Sequence, residues 1–167
     1  MAFSSLIHTL QRSPLTDEFL TRWDRQGQLY FTGASRLVKG LVSSALAQQK
    51  GVPLVVVTAT LEEAGRWAVQ LEAMGWEAVK FYPTTEASPY ESFDPESELT
   101  WGQLQILADL VTGVGEVSAQ KMAIVATERS LQPHLPPVEV FEQNCLGLTA
   151  GSEWNLRALG KRLATLG

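Results

Sequence analysis

Apolar residues change their spacing several times along the chain, and each change marks an element. Over residues 1–25, Leu6, Leu10, Phe19, Leu20 and Trp23 form one sticky helical face, and Pro14 breaks the run. "QLYFTG" then reads as a short strand ending at Gly33. From Ala34 the helical period returns with Leu37, Val38, Leu41, Val42, Ala45 and Leu46. Gly51 and Pro53 punctuate the chain. "PLVVVTA" follows as a continuous β-branched run, the pattern of a strand buried on both faces of a parallel sheet.

Thr60 opens "TLEEAGRWAVQLEAMG", and Glu63 three residues later gives a capping-box pattern. Leu61, Ala64, Trp67, Ala68, Leu71 and Met74 are the expected buried stripe, with Glu62 and Arg66 as an exposed i,i+4 pair. Gly75 ends this helix, and "WEAVKFY" is a strand stopped by Pro83. "PTTEASPYESFDPESE" is a loop with three prolines and no basic residue. "LTWGQLQILADLV" is helical again, with Trp101, Leu104, Leu107 and Val111 on one side. Gly113 and Gly115 close it, and "KMAIVATE" is another buried strand.

Strands and helices alternating at these intervals predict βαβ units. The fold class is α/β, with a mainly parallel, doubly wound sheet flanked by helices. The texture changes after Pro133, where "PHLPP" reads as a boundary. "VEVFEQNCLGLTAG" alternates like a strand with one exposed face, and "SEWNLRALGKRLATLG" is a helix with Ser152 as N-cap. The expected division is a helical arm over 1–25, an α/β subdomain over 26–135, and the opening of a second domain over 136–167.

Composition narrows the function classes. The chain is 45% hydrophobic and 19% charged, enough to build a core, and no run of about 18 apolar residues could span a membrane. Its N-terminus lacks the basic head and apolar stretch of a secretory signal. Cys145 is the only cysteine, which excludes an internal disulfide and a cysteine-cluster metal site; a reducing cytoplasm is the expected compartment. Thirteen basic against eighteen acidic residues leave a net charge of −5, which argues against strong autonomous binding of nucleic acid.

The sharpest chemical question lies at residues 30–37. A phosphate-binding loop needs glycines that let backbone N–H groups wrap the phosphates, a lysine to neutralise them, and a hydroxyl on magnesium. Counted from Gly33, the pattern meets Val38, Lys39 and Gly40, with a lysine but without the second glycine or the hydroxyl. Aligned on "TG", it places Tyr30 and Ser35 on glycine positions, Arg36 on the lysine and Leu37 on the hydroxyl. Arg36 keeps a charge but not a lysine's point contact, and Leu37 cannot ligate a metal. Tyr30, Gly33, Ser35, Arg36 and Leu37 therefore read as a degenerate, non-functional phosphate loop. No catalytic residue and no metal site are expected.

In context, that loop carries a resemblance. "LYFTGASRLVKGLVSSAL", "VVVTATLEEAGRWAVQLEAMG", "VKFYPTTEASPYESFDPESE" and "MAIVATERSLQPHLPP", in this order, resemble the N-terminal UvrB-like module of bacterial transcription-repair coupling factors. The resemblance runs from about Gln28 to Gly167, and "ASPYESFDPESEL" is its most specific segment. It implies a P-loop-NTPase-like, degenerate helicase-type subdomain within a much longer parent. Such a parent displaces stalled RNA polymerase by ATP-driven translocation on DNA and recruits UvrA for nucleotide-excision repair. ATP and magnesium belong to a downstream motor, so no cofactor is expected in this stretch. The implied partners are other domains of the parent chain, UvrA through the adjoining second domain, and RNA polymerase and DNA through the parent. No membrane partner is implied.

The chain departs from UvrB itself. The interval from Tyr82 to Leu99 is too short for UvrB's long aromatic hairpin, and its unrelieved carboxylates would repel a phosphate backbone. A non-catalytic scaffold and interaction module follows. The alternatives are a nucleotide-binding α/β enzyme domain with an atypical phosphate loop, and a DNA-binding subdomain.

Other residues have two readings. Tyr90, Phe93, Asp94 and Pro95 could dock a partner or another domain, but the preferred reading is that the aromatics Tyr90 and Phe93 pin the loop to the sheet while Asp94-Pro95 sets up a helix start. Glu91, Asp94, Glu96 and Glu98 read as solvated charge, with no His or Cys nearby to make a metal site. His8 and His134 have no second ligand in spacing. Cys145 reads as a packed small side chain in an apolar strand, and Trp67, Trp76 and Trp101 read as core.

Overall fold

The computed structural model describes residues 3–82, 98–112, 118–132, 137–148, 150–151 and 153–166. Three short strands pair in parallel: β1 (Leu54–Thr58), β2 (Ala78–Phe81) and β3 (Met122–Thr127). Their order is β1-β3-β2, so Val125 of the central strand faces Val56 on one side and Phe81 on the other. All six residues of β3 are buried. Because side chains alternate across a strand, Ala123 and Val125 serve one layer while Met122, Ile124 and Ala126 serve the other.

Three helices cover the first face: α1 (Ser4–Gln11), α3 (Arg36–Lys50) and α4 (Leu61–Glu72). Together with Met74 in the turn after α4, they bring Ile7, Leu41, Ala45, Trp67 and Leu71 against Ala123 and Val125. The second face is covered by α5 (Glu98–Thr112), whose Ile106, Leu107 and Leu110 pack with Tyr82, Met122 and Ile124. This is an α/β architecture with an all-parallel sheet between helices, as the alternation of elements predicts. Among the described residues, no helix is long and apolar enough to cross a membrane.

Local signals act where the sequence places them. Thr60 caps α4, its hydroxyl accepting from the Glu63 N–H at 3.2 Å, and Glu62 pairs with Arg66 one turn along. Gly51 ends α3 in the left-handed region at φ +64°. Gly40 allows a close approach inside the core, since a Cβ there would sit 3.0 Å from Met74 Cε and 3.1 Å from Trp67.

Several expectations need correction. Residues 28–33 form no strand; Phe31 instead sets its ring edge-on to Phe19, 5.6 Å between centroids. That contact ties the segment to α2 (Pro14–Gln26), which Gly27 closes at φ +69°. Strand β1 is not buried on both faces: Val55 and Val57 are half exposed, because β1 lies at the sheet edge and the α5 residues cluster over β2 and β3. The first helices do not bury Leu6 but Ile7, which lies in the core beside α3 and α4. Pro14 starts α2 at its first turn, capped by Ser13, rather than merely interrupting a helix. Leu61 is exposed at the start of α4.

On α5 the stripe is rotated: Trp101 is 63% exposed and Leu104 is also outside, so Trp101 is not core. Residues 138–144 are a helix, α6 (Val138–Asn144), not a strand. Pro137 at its N-cap position and the brevity of the V-E-V-F alternation explain the difference. Cys145 accordingly sits half-buried in the coil after α6. The last helix, α7 (Leu156–Leu166), is capped by Asn155, whose Oδ1 accepts from the Arg157 and Ala158 N–H groups at 3.0 and 3.1 Å. Ser152 lies outside the described residues, as do His134 and the loop at 83–97.

Tyr82, at the end of β2, gives the fold a signature at high pH. Burial raises its phenol above the ordinary value of 10.0. The folded state thus holds this proton more tightly than the unfolded chain. Its contribution is complete below about pH 10 and is lost as pH rises through the folded value. Urea midpoints between about pH 9 and 11 should fall more steeply in the natural chain than in Tyr82→Phe; equal slopes would reject this assignment.

Candidate functional site

The loop before α3 keeps one feature of a phosphate cradle, a glycine in the left-handed region followed by a helix start. Gly33 has φ +70°, with nothing near an added Cβ, and Ser35 is the N-cap of α3. Its hydroxyl accepts from the Val38 N–H at 3.4 Å, so this oxygen already serves one of the amides a phosphate would need. Tyr30, in the extended stretch before the turn, is 81% exposed. No strand of the sheet leads into this loop, unlike the strand-to-loop-to-helix layout of a phosphate loop.

Arg36 is held sideways. Its Nε donates to Oε1 of Gln70 on α4 at 3.0 Å, which fixes the guanidinium against the neighbouring helix. Leu37 is exposed and supplies no oxygen. Lys39 lies a full turn further into α3, half-buried. Ser35, Arg36 and Leu37 line an open groove of about 830 Å³ whose far wall is Glu62, Arg66 and Gln70. Tyr30 and Gly33 do not line it. Arg66 in that wall is paired with Glu62. Among the described residues no group of three or more His, Cys, Asp or Glu side chains could hold a metal ion.

Sequence reasoning missed Gln70, because no spacing links a loop to a helix more than thirty residues later. Tyr90, Phe93, Asp94 and Pro95 lie outside the described residues. His8 is exposed on α1, its Nδ1 3.1 Å from Gln11 Oε1.

The architecture defines an α/β domain with an all-parallel sheet between helices, consistent with a P-loop-like fold although no strand enters the loop. No family model matches the chain. Two curated proteins, the transcription-repair-coupling factors of Mycobacterium bovis and Mycobacterium tuberculosis, are each 35% identical to it over 128 residues. The match takes in 75% of this chain and 10% of each relative. The chain is thus a relative of transcription-repair-coupling factors and spans about a tenth of their length.

Proposed function

We propose that the chain is a non-catalytic scaffold and interaction module of a transcription-repair coupling factor. The parent would be an ATP-driven DNA translocase of the cytoplasm that displaces stalled RNA polymerase and recruits UvrA. Residues 26–135 would be the UvrB-like subdomain, and residues 136–167 would begin the UvrA-contacting domain, so this stretch alone would hold UvrA weakly. The observation that carries this reading is the state of residues 30–37 within a chain so related. Ser35 caps its own helix, Arg36 is tied to Gln70, and Leu37 offers nothing to a metal. Magnesium and a phosphate chain need the opposite arrangement, with free amides, a mobile lysine and a hydroxyl.

The test is calorimetric titration of Mg-ATP into the chain, with Arg36→Ala beside it. No heat at millimolar nucleotide is the expected result for both proteins. Micromolar binding that disappears in Arg36→Ala would overturn the reading and make this a nucleotide-responsive domain.

A further inference from the structure

The second half of α5 carries a buried carboxylate. Asp109 follows Ile106 by three residues, on the face that α5 turns inward, and is only 8% exposed. An ionised carboxylate held out of water is costly unless an opposite charge or several donors compensate it. Asp109 takes part in none of the ion pairs among the described residues. Its hydrogen-bond partner among them is Gln105, whose Nε2 donates to Oδ1 at 2.9 Å. A carboxylate can accept about four such bonds, so among the described residues most of its capacity is unused.

That capacity faces a cavity. A space of about 300 Å³ lies between α5 and the coil after α6. Gln105, Asp109 and Thr112 rise along one wall a turn apart, with Ala108 between them, and Cys145 to Leu148 make the other. The cavity offers acceptors. One Gln105 N–H is turned to Asp109, and the Thr112 hydroxyl donates to the Ala108 carbonyl at 2.7 Å. Among the described residues nothing else takes up the carboxylate or the Gln105 amide oxygen, and both suit a ligand that brings donors and positive charge.

We propose that this cavity binds a cationic head group of the guanidinium type, with Asp109 as its counter-ion. A planar guanidinium meets a carboxylate through two parallel N–H bonds and could reach the Gln105 oxygen with a third. The site lies on the α5 layer, on the opposite side of the sheet from the loop before α3. It is therefore independent of the reading given for that loop.

Amide-resolved NMR titration of the whole chain tests it, with methylguanidinium chloride in one arm, blocked Gly-Arg-Gly in another, and sodium chloride at equal ionic strength as reference. Saturable shifts at residues 105–112 and 145–148 are expected. Asp109→Asn should weaken binding at least roughly tenfold. Ala108→Leu, which fills the cavity and keeps the carboxylate, should abolish it. Equal affinity for both probes would identify the head group alone as the ligand, and tighter peptide binding would identify an arginine side chain of another protein. Absence of saturable shifts, or binding unchanged in a folded Ala108→Leu chain, would overturn the proposal whether or not Asp109→Asn folds.

Discussion

Ile7→Ala is expected to cost about 2–5 kcal/mol of stability, as much as a truncation in the middle of the sheet layer. Ile7 is 1% exposed and lies in the same cluster as Leu41, Ala45 and Met74. The Phe3 N–H donates to the Ala73 carbonyl at 3.1 Å, which fastens the start of α1 to the end of α4. Shortening Ile7 therefore opens a hole among three packed helices, two of them tied by that backbone bond, so little collapse can fill it. Its neighbour Leu6 is exposed, and Leu6→Ala should change stability by no more than about 0.5 kcal/mol. Urea unfolding of both variants distinguishes the two roles. A midpoint for Ile7→Ala equal to that of Leu6→Ala would mean that Ile7 does not fasten α1 to the core.

Leu6, Ile7 and Leu10 show why the inward side of α1 is not legible in the sequence. Three large apolar residues within five positions define an apolar side but not which of them points inward. The choice is made by Phe3, Ala73 and α3, all set by tertiary contact. The rotated stripe of α5 has the same origin. Trp101 and Leu104 satisfy the helical period as well as Ile106 and Leu110 do, and only the position of β3 decides between them. Signals carried by short spans of sequence were legible: the Thr60 cap, the Glu62–Arg66 pair, the Gly51 stop and the all-buried β3.

Strand prediction failed where pairing was the missing ingredient. "LYFT" has β-favouring residues, yet a strand exists only through a partner, and Phe31 finds Phe19 instead. β1 was recognised but its burial was overestimated, since a continuous valine run cannot say whether the strand is central or at the edge. The chemistry of the candidate loop was half legible. Residue types at positions 30, 35, 36 and 37 mark the departure from a phosphate-loop pattern. The Ser35 cap could be anticipated from the helix start, but Gln70 as the holder of Arg36 could not. Asp109 did leave a trace, a carboxylate three residues after a core isoleucine, though spacing alone gives it no cavity.

Trp76→Ala should be the most damaging single change, at about 3–5 kcal/mol, because it removes a large buried ring and strands its polar partner. The indole Nε1–H donates to the Ser44 hydroxyl at 3.0 Å, and that hydroxyl donates onward to Met74 Sδ at 3.5 Å. Ser44 is fully buried on α3, so this short chain is the polar seam joining α3 to the turn after α4. Gln48 adds to the seam, donating from Nε2 to the Met74 carbonyl at 3.0 Å. Ser44→Ala alone leaves the indole N–H buried without an acceptor and should cost about 1–3 kcal/mol. In a Trp76→Ala background that penalty should largely vanish, because the donor has gone. The double-mutant cycle should then return a coupling of about 1–2 kcal/mol. Trp76→Phe, which keeps most of the ring and deletes the N–H, should lie between the natural chain and Trp76→Ala, with its Ser44→Ala penalty reduced in the same way. Denaturant midpoints for these variants decide the matter. Strictly additive losses would mean that the indole and the hydroxyl are merely neighbours, and that apolar packing and the Gln48 bond hold α3 to the α4–β2 turn.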